Sequence, residues 1–229
     1  MTPVSVAAIF AHPDDEVLGC GAALALHADR GDTVQILILA TGLAARGPAG
    51  APELGALRRQ AEAAARVLGV GAIEFGDFPD NAMDTVPLIE VVRTVETFVQ
   101  RTAPAIIYTH HGGDLNVDHR VTHLAVATAC RPTPQAADRE IFACEVPSST
   151  EWAPSTLTNF VPTDFVDVSA TLDRKVAALK CYADEIRPWP HPRSSEGVRF
   201  LARWRGAQCG RDAAESFMPM RRVRQLTTS

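Results

Sequence analysis

No stretch of this chain approaches the roughly 20 consecutive apolar residues that a membrane-spanning helix requires. The opening apolar run ending at Phe10 is only about seven residues long and lacks the basic flank of a secretory signal. A helical membrane span is therefore excluded, and the expectation is a cytoplasmic protein without a membrane partner. The chain also lacks any C-x-x-C pair. Its five cysteines, Cys20, Cys130, Cys144, Cys181 and Cys209, are scattered, which points to reduced thiols filling the core rather than a disulfide framework. Basic excess is missing as well, since 22 Lys and Arg against 27 Asp and Glu give a formal net charge of −5. That balance argues against nucleic acid and for a small soluble partner. Neither G-x-x-x-x-G-K-[ST] nor G-x-S-x-G occurs. The pair Gly19 and Gly21 lies inside a predicted helix, and the two aspartates in the preceding turn would repel a pyrophosphate. Aromatics are only 6% of the chain while apolar residues reach 46%, so Ala, Val, Leu and Ile must build the core. This suits a buried parallel sheet under alanine-rich helices.

With 229 residues, the chain is read as a single domain spanning 1–229. A strand is predicted over Val4–Phe10, then a polar turn and a helix over Val17–Asp29. The alternation continues with strands at Thr33–Leu39, Ala72–Phe75 and Ala105–Tyr108, and helices at Glu53–Leu68, Leu88–Arg101 and Asp118–Ala129. Such a pattern predicts an α/β, Rossmann-like fold, a mostly parallel twisted sheet with helices on both faces and its site beyond the carboxyl ends of the strands. The second half is less regular. Strands are expected at Arg139–Val146 and Phe165–Val168, and helices at Leu172–Glu185 and Glu196–Gly206, with fraying at Gln225–Ser229. Pro147–Pro162 and the Pro-rich Arg187–Ser194 read as long loops, which in compact domains usually serve function.

Two constellations carry chemistry. Ala11-His12-Pro13-Asp14-Asp15-Glu16 follows the first strand and opens its helix. The acids are explicable as helix-start residues, with Asp14 as cap, but that leaves His12 unexplained. His12 and Asp15, three residues apart across a tight turn, can converge on one ion while Asp14 points toward whatever that ion binds. The second constellation runs from His110 to His123 and holds four histidines, with Asp114, Asn116 and Asp118 among them. His119 opens a helix at a strand's carboxyl end, as His12 does, and the loops after the first and fourth strands can be neighbours around a switch point. His12, Asp15 and His119 form a three-ligand set with one position open, as in catalytic zinc sites. Spacing alone leaves His123 or His110 open as third ligand.

AHPDDE after the first strand and GDLNVDHR after a later one resemble the PIG-L/LmbE family of zinc-dependent N-acetylglucosaminyl deacetylases. Glu145–Trp152 and His191–Ser194 resemble its GDLN-type branch. The resemblance implies Zn²⁺ on His12, Asp15 and His119, with iron or cobalt able to occupy the same ligands. It also implies Asp14 as general base toward a metal-bound water, and an amino-sugar substrate that loses its acyl group. In the family the second motif is often H-P-D-H, whose first histidine assists catalysis. Here Asn116 stands in that place with Val117 in place of proline. Asn116 can donate a hydrogen bond to an oxyanion but cannot give up a proton. The acid role must then move to His191, whose Pro-rich segment could fold back over the pocket, to His110 or His111 at the strand end, or to Asp14 itself after it has taken a proton from water. The favoured expectation is that Asp14 shuttles the proton, with His191 or Arg193 positioning substrate and Asp118 orienting a histidine. Asp80, Asn81 and Glu145 are candidate substrate contacts, with Asp77, Arg46 and Arg205 also weighed. Alternatives are a hydrolase of a non-sugar amide or ester, and a binding protein that keeps the metal without turnover. Homo-oligomerisation is left open.

Overall fold

Alternation of side chains along the first strand, β1 (Ser5–Phe10), separates two cores. Val6, Ala8 and Phe10 enter one apolar cluster and Ala7 and Ile9 the other, all fully buried, as the two-residue period of a strand covered on both faces demands. The computed structural model describes residues 2–42, 51–133 and 138–223. After β1 come α1 (Asp15–Asp29), β2 (Thr33–Ala40), α2 (Ala51–Leu68), β3 (Ala72–Phe78), α3 (Leu88–Thr102), β4 (Ile106–His110) and α4 (Val117–Ala129). The chain continues through β5 (Glu140–Cys144), β6 (Asp164–Asp167), α5 (Leu172–Leu179), α6 (Ser195–Cys209) and β7 (Ala214–Arg221). Arg46 and the predicted fraying of Gln225–Ser229 lie outside the described residues.

The strands form one seven-stranded sheet in the order β3-β2-β1-β4-β5-β7-β6. β1 pairs in parallel with β2 on one side and β4 on the other, so the chain turns opposite ways after β1 and after β4. Between those two strands the loops diverge and leave a crevice at their carboxyl ends. The expected α/β, mostly parallel architecture is therefore present. Helices α1, α2, α5 and α6 cover the face holding Val6 and Phe10, and α3 and α4 cover the other. Among the described residues no helix is long and apolar enough to cross a membrane.

One element was not predicted and one predicted boundary needs correction. Strand β7 lies antiparallel between β5 and β6 and has no counterpart in the sequence reading. Its polar Glu215 and Ser216 and its Pro219 hide the strand pattern, yet the sheet accommodates them. Pro219 sits opposite Phe142 next to a register irregularity, where a missing amide is tolerated. Helix α5 ends at Leu179 rather than at Glu185. Beyond it the chain turns so that Tyr182 is fully buried, and its hydroxyl donates to Glu16 Oε1 at 2.5 Å.

Candidate metal and catalytic site

The site begins in the turn between β1 and α1. Asp14 occupies the N-cap position with φ 99 and ψ −27, a left-handed conformation that costs a non-glycine residue about 1–3 kcal/mol and clusters at functional sites. Its carboxylate does not cap the helix. Glu16 Oε2 instead accepts the Asp14 amide at 3.0 Å, and Asp14 Oδ2 turns to Arg193 Nη1 at 3.0 Å. The capping explanation for Asp14 therefore fails, while Asp15 Oδ2 accepts the His12 amide at 2.9 Å and closes the turn.

Across the crevice, α4 starts just past the end of β4. Asn116 is its N-cap, with Oδ1 accepting from the Asp118 amide at 2.8 Å. This places His119 third in the first turn of α4, facing Asp15 at the start of α1. His119 Nε2 lies 3.2 Å and His12 Nδ1 3.3 Å from Asp15 Oδ2. Each imidazole is backed by a carboxylate on its far nitrogen. Asp118 Oδ2 is 2.9 Å from His12 Nε2, and Asp114 Oδ1 is 3.0 Å from His119 Nδ1. The carboxylates are anchored in turn. Asp118 accepts the amides of Asn81 at 2.6 Å and Met83 at 2.9 Å, and Asp114 accepts the hydroxyls of Ser149 and Thr150.

Two nitrogens and one carboxylate oxygen, all within 4.8 Å of one another, match the donor set of a catalytic zinc site. The carboxylate behind each imidazole matches the support that metal-ligating histidines receive. Asp15 Oδ1 is buried with no hydrogen-bond partner among the described residues, as a carboxylate oriented for an ion would be. The residues therefore fit a divalent transition metal. A second set, His12, Asp80 and Asp118, is equally compact, but it has one nitrogen donor and its Asp118 is already engaged by two backbone amides. The neighbouring histidines are engaged elsewhere. His110 Nε2 accepts the Ala11 amide at 2.8 Å while its ring stacks on His119 at 3.8 Å. His123 Nδ1 meets the His110 carbonyl at 2.9 Å, and His111 Nε2 meets that of Thr158 at 2.8 Å.

Electrostatics follow from burial and the clustered acids. Burial pushes the Asp14 carboxyl up to about 7, against the opposing charge of Arg193, and burial likewise pushes Glu16 up to about 7. For His12 and His119 burial disfavours the proton, but the surrounding carboxylates outweigh it and raise both. Burial also opposes ionisation of Asp15, which His119 and His110 overcome, holding it well below the usual carboxylate range. The ionised acids thus surround two imidazoles whose protons a bound cation would replace.

The other predicted residues divide between two places. Asp80, Asn81, Asn116 and Arg193 line the same cleft as His12 and Asp14, together with Glu185. Asn116 Nδ2 donates to Asn81 Oδ1 at 3.0 Å, and Asp80 Oδ1 is 3.1 Å from His12 Nε2. His191 stands behind Arg193, its Nδ1 accepting the Arg193 amide at 3.1 Å and its ring edge-on to Trp152. Burial together with Arg193 and Arg187 lowers its pKa. Glu145 lies apart, held by Arg205 at 2.7 and 2.6 Å and by the Ser216 hydroxyl at 3.0 Å, and it borders a different, aromatic groove with Trp189 and Trp204. Asp77 is an exposed residue of β3. The supporting parts Asp114, Ser149, Thr150 and Glu185 carried no assigned role in the sequence. Ser149 and Thr150 meet Asp114 only across 35 and 36 residues, and the contacts of Asp114 with His119 and of Glu185 with Arg193 cross irregular loops that leave no periodic signal.

The family model described as PIG-L, GlcNAc-PI de-N-acetylase, matches residues 7–130, a span that holds both motifs and more than half of the chain. The chain belongs to the PIG-L family. Membership makes it an enzyme of a metal-dependent deacetylase family. An uncharacterized deacetylase of Escherichia coli K12, YaiS, is 29% identical over 181 residues, covering 76% of this chain and 88% of the relative. The 4-oxalmesaconate hydratase of Pseudomonas putida KT2440 is 30% identical over 214 residues, covering 82% of this chain and 76% of the relative. Among solved structures, GalB, the 4-carboxy-2-hydroxymuconate hydratase of Pseudomonas putida KT2440, superposes with a TM-score of 0.80 at 23% identity over 99% of this chain and 100% of its own. The PIG-L match ends before Glu145, His191 and Arg193, so those positions stand on geometry alone.

Proposed function

We propose that this PIG-L protein removes the N-acyl group, acetyl in the simplest case, from an amino sugar or amino-sugar conjugate, with a divalent transition metal, zinc by preference, held by His12, Asp15 and His119. The observation that carries the reading is Asp14. A carboxylate kept in a strained backbone, turned away from its helix and into the cleft beside the metal ligands, serves chemistry rather than folding. When bound, the metal supplies Lewis-acid activation of water and of the amide carbonyl. Asp14 accepts the proton of the attacking water while a new C–O bond forms at the carbonyl carbon. Asn116 keeps its cap with Oδ1 and has a second Nδ2 hydrogen to offer the developing oxyanion. Asp14 then returns the proton to the nitrogen as the C–N bond breaks, releasing carboxylate and amine. Arg193 holds Asp14 in line, and His191 holds the Arg193 loop. Asp80 and Asn81 border the cleft where sugar hydroxyls would bind.

A second reading is hydration of an unsaturated carboxylate, favoured by the match to a hydratase over 82% of this chain. The charge of the cleft favours the first. Among the described lining residues, the carboxylates of Asp14, Asp80 and Glu185 face the single guanidinium of Arg193, which already contacts Asp14 at 3.0 Å and Glu185 at 3.5 Å. The guanidinium is thus already committed to carboxylates of the chain rather than free for a substrate with several carboxylates, while Asn81 and Asn116 offer the hydrogen-bonding groups that a sugar would use. The test is to load the protein with zinc and assay acetate release from N-acetylated sugars, sugar conjugates and nucleotide sugars, beside water addition to unsaturated di- and tricarboxylates. Acetate release with no hydration is expected. Hydration without acetate release would replace this reading with the second.

A further inference from the structure

Helix α1 is two helical segments joined at a break. At Cys20 its backbone leaves helical values, with φ −147 and ψ 17, so the first turn from Asp15 stands apart from the rest. In an unbroken helix the amides of Ala22 and Ala23 turn to the carbonyls of Leu18 and Gly19. Here they donate to Glu215, at 3.0 Å to Oε1 and 2.7 Å to Oε2. On the other side of the break the Leu18 carbonyl accepts from Lys175 Nζ at 2.8 Å. Lys175 and Glu215 meet at 2.6 Å. The ion pair thus occupies the gap in the hydrogen-bond ladder, carboxylate on the freed amides and ammonium on the freed carbonyl, each matched to the backbone polarity it faces. The Thr171 hydroxyl completes the clamp by donating to the Ala22 carbonyl at 2.9 Å.

Both charged side chains are buried, Lys175 4% and Glu215 5% exposed, and they come from α5 and β7, far in sequence from the motif turn. Apolar residues of similar volume often stabilise a core as well as a buried ion pair does, or better. Packing alone therefore does not account for this pair, whereas its bonds to both sides of the break do.

We infer that Lys175 and Glu215 are positioning residues for the site, holding the first turn of α1 in the bent orientation that presents Asp14 and Asp15 to His12 and His119. Only the activity part of its test rests on the proposed deacetylation. The experiment compares the native protein with Glu215→Gln and with the double variant Lys175→Met, Glu215→Leu. Amide hydrogen exchange over residues 15–23 is read in the metal-free protein, with Tm, kcat and KM alongside. In the double variant the amides of Ala22 and Ala23 and the Leu18 carbonyl lose their partners, so Tm is expected to fall, while exchange over 15–23 speeds about tenfold or more relative to the other helices. The rate kcat is expected to fall about tenfold or more with KM nearly unchanged, since a displaced catalytic group costs rate rather than binding. Glu215→Gln keeps its volume and one acceptor for the two amides but leaves the buried Lys175 ammonium without its counter-charge, and a change of the same sign is expected. Native exchange over 15–23 together with native kcat, in whichever of these variants folds, would overturn the inference. If the native protein deacetylates nothing, the deacetylation reading fails by itself and the exchange measurement alone decides this one.

Discussion

Asp14 is the residue on which the chemistry turns, and its geometry makes an unusually clean substitution available. Asn is among the few side chains that tolerate a left-handed backbone, and its Oδ1 can still accept the Arg193 guanidinium that now lies 3.0 Å from Asp14. Asp14→Asn should therefore leave fold, loop and metal content intact while removing the group that moves the proton. Loss of about 10²–10⁴ in kcat is expected, the usual worth of general acid–base catalysis, with stoichiometric zinc retained. A variant turning over at near-native rate would end the base assignment. The motif residues were legible because their spacing is local: His12 and Asp15 lie across one turn, and Asn116 and His119 in the first turn of one helix. Asp114 and its partners Ser149 and Thr150 were not, since a hydrogen bond spanning 35 residues leaves no periodic trace. Nor does the sequence distinguish a capping Asp14 from one turned into the cleft, because that difference lies in one backbone torsion.

Among the elements, those from β1 to α4 were readable because β1, β2 and β4 are largely apolar runs ended by polar turns and α3 keeps a buried stripe, while α1, buried on nearly every face, is marked by its Ala and Leu content. Strand β7 escaped because its signal depends on tertiary compensation: Glu215 looks like a surface residue until Lys175 and the helix amides are placed around it. The opposite end of the sheet offers a prediction of its own. Asp32, just before β2, accepts the Val4 amide at 3.0 Å and lies 2.7 Å from His27 Nδ1 near the end of α1, tying two strands and a helix together. Burial works against its ionisation, but His27, the Val4 amide and Arg30 prevail and lower its pKa. A carboxyl depressed in the folded state contributes stability that is fully present above its unfolded value of about 3.9 and is lost as pH falls through the folded value. Native protein should therefore lose stability more steeply below about pH 4 than Asp32→Asn, whereas at pH 7 the variant should be the less stable by about 1–2 kcal/mol. Urea unfolding at pH 3 and pH 7 measures both, and equal pH slopes would remove Asp32 from the account.

For the whole molecule the central fact is that the sheet's switch point gathers like charges. Asp15, Asp80, Asp114 and Asp118 are all under 5% exposed around His12 and His119. Without a cation such a cluster repels itself, and protonating its histidines relieves the repulsion only in part. A metal binding the folded chain alone stabilises it by about 2.7 kcal/mol at a hundredfold excess over Kd. For a chain of this length, each kcal/mol moves Tm by about 2–4 °C, so zinc added to the metal-free protein should raise Tm by about 5–10 °C. The selectivity of the shift tests the donor set. Cobalt should reproduce it, while magnesium, which prefers oxygen ligands and keeps its waters, should not. His119→Ala should abolish the shift and Asp14→Asn preserve it. Loss of the shift in Asp80→Asn but not in His119→Ala would move the ion to the other face of His12, between Asp80 and Asp118. The same melting curves would then separate the two compact donor sets that share this histidine, independently of any substrate.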